Sequence, residues 1–374
     1  MKAGIFLTFE HPDCLDEHDD VPSPRGDAFL INRDVAIASK AEAAGYDSIW
    51  TPEHHFTGYV IGPDPVQTLA FIASRTSRIS LGTAAIIMPW HNPVRVAGSV
   101  AMLDNLSNGR FILGVGRGVA RSEFTGLMID QGEARERYIE GTELLLNALE
   151  AGYVEHQGKH FQVPKRYLRP RPTGTFKGRR FSASNSPETA EIIARLGLGF
   201  LIAPQKPWDT VQDDFRRYSA KYEEVHAEAP PRPIVSCQVF VDEDAARARD
   251  VGRKHLIEYY HMAMKHYMLN KPSLTGVKGY EHYATMHKAF DEYGDDAVSD
   301  SYISLQICGT PKQCLEQIEG VRDTIGCDHF NAYFSYGRMS DEEAFRNMNL
   351  WTEAVLPGIH AMAPGHAGQV LVPA

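Results

Sequence analysis

Residues 28–50 read AFLINRDVAIASKAEAAGYDSIW, and this stretch decides the fold class. Up to Ala44 it is alanine-rich, with Leu30, Ile37, Ala41 and Ala44 on one helical face. Gly45 supplies the left-handed residue that stops a helix, and Asp47–Trp50 then reads as a short buried strand. The same unit recurs downstream. Asp64 is placed to cap a helix over Pro65–Arg75, followed by a strand over Ile79–Met88. Asn92 caps Pro93–Leu106, a strand follows over Gly109–Gly116, and Ala134–Leu149 is helical. After a break come a strand end at Phe181–Ala183, a helix over Pro187–Leu196 behind Ser186 as N-cap, and a strand over Phe200–Ala203. A helix over Pro207–Glu224, a strand over Ile234–Val241 and a helix from Asp244 continue the series. Thr310 to Gln313 fits a capping box for a helix to Ile325; the strand Asp328–Phe334 and a last helix behind Ser340 and Glu343 complete it. Alternation at this density means parallel strands joined by crossover helices. A closed (β/α)8 barrel over 1–360, with a tail over 361–374, is the expected architecture; a doubly wound open sheet is the alternative.

Two stretches interrupt the series. Residues 164–180 are rich in Pro, Gly, Arg and Lys and contain no acid. They read as a solvated loop, with phosphate binding as the alternative. Residues 254–300 are crowded with Tyr, His and Met and have no strand character. They read either as a core or dimer helix or as a cover over an active site.

Composition narrows the function. A net charge of −10 argues against nucleic acid or an anionic membrane as partner, since both select basic surfaces. The five cysteines are scattered with no CxxC pair, which excludes a zinc ribbon and a disulfide framework and fits a reducing, cytoplasmic compartment. No apolar run is long enough to span a bilayer, and the N-terminus has no signal-peptide pattern.

In a barrel of this kind chemistry sits at the C-terminal ends of the strands. Those ends carry Glu10-His11, Glu53-His54-His55-Phe56, Trp90-His91-Asn92, Gly116-Arg117-Gly118 and Ser184-Asn185-Ser186. Arg117, flanked by glycines, can be approached by a bulky anion, and its fork suits phosphate. The helix start at Ser184 to Ser186 favours an anion as well. His54 and His55 are adjacent and must point in different directions. Imidazole at a strand end suits acid–base or hydrogen-bond work near neutral pH; a metal shared by His54, His55 and His91 is a weaker reading because HxH spacing is absent.

These residues resemble the luciferase-like flavin monooxygenases. The resemblance rests on Glu53-His54-His55-Phe56, on Gly82 to Ile86 with His91 to Arg95, and on Leu103 to Phe111 running into Gly116-Arg117-Gly118. It continues more loosely through Arg137-Tyr138, Ser184 to Thr189 and Cys308 to Pro311. It implies a (β/α)8 barrel, usually a homodimer, that takes reduced FMN from a separate flavin reductase. Oxygen then adds to the flavin as a peroxide that oxidises a small organic substrate, here expected to be mainly apolar. By the same resemblance His54 is the catalytic histidine and His55 supports it. Ala84 and Ala85 match a pair joined by a cis peptide beneath the flavin ring, and Arg117 matches the phosphate-binding arginine. Tyr138, Ser184, Asn185, Ser186 and Thr189 fall in the remaining flavin-contacting segments. Gly116 stands where light-emitting members carry cysteine, and Ser182 or Ala183 where they carry an acid, so the resemblance implies a monooxygenase without implying light. The competing functions are hydride transfer with a deazaflavin in the same fold, a metal-dependent barrel hydrolase, and non-catalytic flavin binding.

Overall fold

The computed structural model describes residues 1–12, 26–183 and 186–365. Eight strands form the barrel: β1 (Lys2–Phe6), β2 (Ser48–Thr51), β3 (Ser80–Thr83), β4 (Phe111–Gly116), β5 (Arg180–Ala183), β6 (Gly199–Ile202), β7 (Ile234–Val241) and β8 (His329–Tyr333). Each pairs in parallel with the next, and β8 pairs with β1 to close the ring. Ser48–Thr51 and Ile234–Val241 are buried at every position, as parallel strands covered on both faces must be.

The helices follow in order. They are α1 (Asp27–Ala44), α2 (Pro65–Ala73), α3 (Pro93–Leu106), α4 (Arg121–Gly126), α5 (Ala134–Ala151), α6 (Pro187–Arg195), α7 (Trp208–His226), α8 (Ala245–Tyr267), α9 (His287–Ile303), α10 (Pro311–Ile325), α11 (Asp341–Ala354) and α12 (Leu356–Ala361). Their ends follow local chemistry. Asp64 accepts from Gln67 N, Asn92 from Val94 N and Arg95 N, and Thr310 with Gln313 makes both bonds of a capping box. Gly45 stops α1 in the left-handed conformation.

Four local expectations differ from the structure. Ile79–Met88 is not one strand: β3 ends at Thr83, and Ile86–Ile87 pairs separately with β4 beyond a cis peptide joining Ala84 to Ala85. Thr83 Oγ1 is responsible, because it donates to Gly114 O and accepts from Gly114 N, replacing the ladder bonds there. A Cβ at Gly114 would lie 1.8 Å from Thr83 O, so only glycine permits this approach. Residues 164–180 are not all loop, since Gln162–Tyr167 pairs antiparallel with Tyr153–Gln157. The run precedes β5 and therefore lies at the N-terminal face, where Arg179 pairs with the buried Asp104, remote from any phosphate held at Arg117. The helix behind Asp244 continues to Tyr267, so the excursion between barrel elements begins at Met268. Ser186 occupies the N-cap position of α6, but its side chain makes no capping bond; Ser186 Oγ pairs with Thr189 Oγ1 at 2.6 Å.

Inside the barrel, Trp50 is fully buried and lies across Gly82, where a Cβ would meet its ring at 2.3 Å. Ser48 Oγ accepts from Trp50 Nε1 and pairs with His329 Nε2 at 2.7 Å. Burial pushes that imidazole down to about 4, which keeps it neutral among the apolar side chains.

Beyond β1, the buried Glu10 carboxylate accepts from Gly337 N at 2.8 Å and Arg338 N at 3.0 Å, tying the turn after β8 to the first strand end. Burial pushes this carboxyl up to about 7 despite those two bonds and the Arg33 charge. Between about pH 4.5 and 7 the folded state therefore holds the proton that the unfolded state releases, so stability falls as pH rises through that window. Equilibrium urea unfolding should lose roughly 3 kcal/mol across the window from this group, and Glu10→Gln should remove that slope. An unchanged slope in the variant would place the titration elsewhere.

Candidate active site

Two buried carboxylates organise the strand ends. The first is Glu53, just past β2. Its Oε2 accepts from Ile87 N at 2.8 Å, while Oε1 lies 3.1 Å from His55 Nε2 and 2.7 Å from His91 Nε2. Burial would raise the Glu53 carboxyl, but the hydrogen bonds from His55 and His91 and the His91 charge hold it below the usual range. Burial would likewise lower His91, and Glu53 outweighs it and raises that imidazole. His55 is thus turned onto Glu53, its ring set edge-on against Trp90 at 5.3 Å.

The second carboxylate is Glu123 on α4, inaccessible to solvent. Its Oε1 accepts from His55 N at 2.8 Å and stands 3.0 Å from His54 Nδ1 and 3.6 Å from His266 Nε2. Burial would raise its carboxyl, but the neighbouring His54 charge, the nearby His266 imidazole and the hydrogen bond from His54 hold it at about 2. Burial depresses His266, whose Nδ1 pairs with Thr57 Oγ1 at 2.7 Å. An ionised carboxylate only accepts, so His54 carries its proton on Nδ1 when neutral. That leaves Nε2 to the Tyr267 hydroxyl, 3.2 Å away. The pair fixes an imidazole tautomer with its accepting nitrogen toward the pocket. Glu123 and His266 escape sequence reading. Glu123 falls just beyond the strand end that carries Arg117, and His266 sits within a run of aromatic and methionine residues without a spacing signal.

The hydrolase trio of His54, His55 and His91 is not gathered: Glu53 stands between His55 and His91, and His54 turns to Glu123. Among the described residues, one group has the donor types of a metal site, His54, Glu123 and His266, with ligand atoms within 4.8 Å of one another. Glu123 Oε1 is already shared there by His54 Nδ1 and His55 N.

A pocket of about 380 Å³ opens at the same strand ends, reached by His54, Ala84, Ala85, Arg117 and Thr189. Arg117 is buried, donates from Nη1 to Gly279 O at 2.6 Å and lies over the Tyr280 ring. Arg135 Nη2, which the sequence did not single out, donates to the same carbonyl at 3.0 Å. Thr189 lines the pocket with its hydroxyl paired to Ser186 Oγ. Arg117 donors, the Thr189 hydroxyl and the small Ala84–Ala85 surface fit a phosphate-bearing flat cofactor in kind. Tyr138 is not brought to this pocket; it is fully buried and its hydroxyl pairs with Ser182 Oγ at 2.6 Å behind β5. Ser184 and Asn185 lie outside the described residues. A second cleft, of about 640 Å³, is lined by Thr57, Ser122, His261, Lys265 and Asp295 on the outer side of α8, and none of the flavin-contacting candidates lines it.

The model of the luciferase-like monooxygenase family matches residues 1–328. The chain is 25% identical to the alkanal monooxygenase alpha chain of the Kryptophanaron alfredi symbiont, over 96% of this chain and 98% of that one. Among solved structures, monooxygenase RslO1 from Streptomyces bottropensis superposes with a TM-score of 0.76 at 25% identity, covering 96% and 99% of the two chains. Two more share the fold at 16% identity each. One is the oxygenating constituent of 3,6-diketocamphane monooxygenase from Pseudomonas putida in complex with FMN (TM-score 0.71; 98% and 100% covered). The other is an F420-dependent secondary alcohol dehydrogenase with an F420–acetone adduct (TM-score 0.69; 96% and 98% covered). Among the described residues no helix is long and apolar enough to cross a membrane.

Glu123 should also mark the acid limit of the fold. Its folded value lies below the unfolded one, so its contribution is present above about pH 4.5 and is lost as pH falls toward 2. Acid unfolding followed by circular dichroism should show a shallower slope in that window for Glu123→Gln than for the parent; equal slopes would mean that Glu123 is not held ionised.

Proposed function

The chain belongs to the luciferase-like monooxygenase family, and from that premise we propose that it is the oxygenase component of a two-component, FMN-dependent monooxygenase. It takes reduced FMN from a separate flavin reductase and uses O2 to oxygenate a small, mainly apolar organic substrate. One observation carries the reading. His54, held by Glu123 with Nε2 toward the pocket, opens on the same cavity as Arg117, Thr189 and the Ala84–Ala85 surface. The identity to monooxygenases, at 25% over nearly the whole chain, supports oxygenation over hydride transfer.

Reduced FMN supplies two electrons to oxygen when bound. The protein does the rest. Arg117 binds the phosphate together with Ser186 and Thr189 at the start of α6, and the family resemblance assigns Ser184 and Asn185, outside the described residues, to the same contact. Ala84 and Ala85 support the ring. Tyr138 acts from behind, fixing β5 through Ser182. His54 holds or accepts a proton at Nε2 within reach of the Tyr267 hydroxyl. His55, on Glu53, keeps the loop after β2 in register. The region 254–300 covers the mouth, with Tyr259, Met264, Tyr267 and Phe290 among its lining side chains, and excludes the water that would discharge reactive oxygen species unproductively. The active form is a cytoplasmic homodimer.

Anaerobic titration with reduced FMN and with reduced deazaflavin, followed by admission of air, separates the two cofactor classes. Tight FMN binding with substrate-dependent oxygen uptake is expected. Deazaflavin binding alone, without oxygen consumption, would assign hydride transfer instead. His54→Ala should slow oxygenation roughly 100-fold or more, the scale of a lost acid–base group, with FMN affinity nearly unchanged. Arg117→Ala should reverse that pattern, weakening reduced-FMN binding by about 30-fold or more. Equal losses of both properties in both variants would sink the division of roles.

A further inference from the structure

The pocket has two ends of different chemistry. Its carboxylate, imidazole and guanidinium side chains, Glu53, His54 and Arg117, all belong to the β2 and β4 ends. Across the ring, β7, β8 and β1 present Phe6, Tyr333, Ser236 and Gln238, with Tyr259 of α8 and Tyr302 of α9 closing over them. Phe6 and Tyr333 stack on each other at 4.2 Å with an interplanar angle of 28°, a fixed aromatic pair at the ends of adjacent strands. Two polar groups there are uncommitted. Gln238 Oε1 accepts from the Tyr302 hydroxyl at 2.8 Å, which leaves its amide N–H groups without a hydrogen-bond partner among the described residues. The Tyr333 hydroxyl likewise has none. Tyr259 is different: its hydroxyl is spent on Tyr59, 2.8 Å away.

We propose that this end of the pocket is a subsite for a neutral, planar aromatic substrate that carries a hydroxyl or carbonyl oxygen. The edges of the stacked Phe6–Tyr333 pair meet its ring, and the Tyr333 hydroxyl and the Gln238 amide receive its oxygen. The inference rests on the monooxygenase reading and deepens it by naming the substrate class. Aromatic walls reward an offset or edge-on ring beyond its area alone. Uncommitted donors in a buried wall discriminate strongly against a molecule that lacks an acceptor for them, because binding it strips them of water without return. A carboxylate or ammonium group would be buried at this end without a counter-charge, which is costlier still. A flexible alkyl chain gains neither the stacking nor the hydrogen bonds.

The test is calorimetric titration of the full chain under anaerobic conditions, with and without reduced FMN, using 2-naphthol, naphthalene, 2-naphthoate and decanal as probes. 2-Naphthol should bind about 10-fold or more tightly than 2-naphthoate or decanal. Tyr333→Phe, which removes the hydroxyl alone, should weaken 2-naphthol by roughly 5- to 10-fold and leave naphthalene binding undiminished or tighter, since the desolvation cost of that hydroxyl is gone. Its melting temperature and reduced-FMN affinity check that the variant is folded. Decanal or 2-naphthoate binding as tightly as 2-naphthol would overturn the proposal, as would equal effects of the substitution on 2-naphthol and naphthalene. The outcome is separable from the reading beneath it. Probe binding without any oxygen-dependent flavin chemistry would defeat the monooxygenase and leave the subsite; flavin chemistry with no preference among the probes would defeat the subsite alone.

Discussion

A carboxylate sealed from water needs donors, and the mouth of this barrel is arranged around two that gather them, Glu53 on both oxygens and Glu123 on Oε1 alone. Glu123 draws His54, the backbone of His55 and His266 to one oxygen; Glu53 draws His55, His91 and the backbone of Ile87. Between them they divide two consecutive histidines, one per carboxylate. Adjacent residues on an extended segment diverge in any case, and the carboxylates turn that divergence into fixed orientations. Everything proposed for the chemistry depends on this division, because it leaves one imidazole nitrogen toward the cavity and spends the other histidine on architecture.

The barrel supplies the geometry that makes such a division possible. Its strands are short and buried on both faces, so the segments leaving their C-terminal ends start from fixed points. The loop after β2, the loop after β4 and the helix α8 then meet over one cavity, although their residues are separated by up to roughly two hundred positions in the chain. At the opposite face a different logic holds. Asp104, Arg179 and the antiparallel hairpin close the bottom with ion pairs and ordinary loop chemistry, and carry no residue of the pocket.

Much of the fold was legible because helix caps and glycine stops are local signals. Asp64, Asn92, Thr310 with Gln313, and Gly45 act on residues within one turn, and each sits where the sequence indicates. The cis bond between Ala84 and Ala85 was named by the family resemblance, but strand patterning missed the break it sits in, because that break depends on Thr83 reaching Gly114 across the sheet. The same limit governed the site. His54, Ala84, Ala85 and Arg117 stand at strand ends and could be found by looking there, and the structure brings them to one pocket. Tyr138 was assigned to the flavin yet lies behind β5, and Ser186 spends its hydroxyl on Thr189 where a cap was expected. Glu123 and His266 were missed, because their partnership with His54 exists only once three distant segments meet.

The hydrogen bond from Arg117 to the Gly279 carbonyl has a consequence for energetics. The guanidinium at the end of β4 and the excursion that begins at Met268 are not independent bodies, since one N–H is shared by both. Any anion that takes that N–H must release the carbonyl, so its binding energy is measured against a bond the protein already owns. The linkage is reciprocal: whatever shifts the excursion toward or away from Arg117 changes anion affinity by the same free energy by which the anion shifts the excursion. Occupancy at one edge of the barrel mouth is thereby felt at the segment that roofs the other.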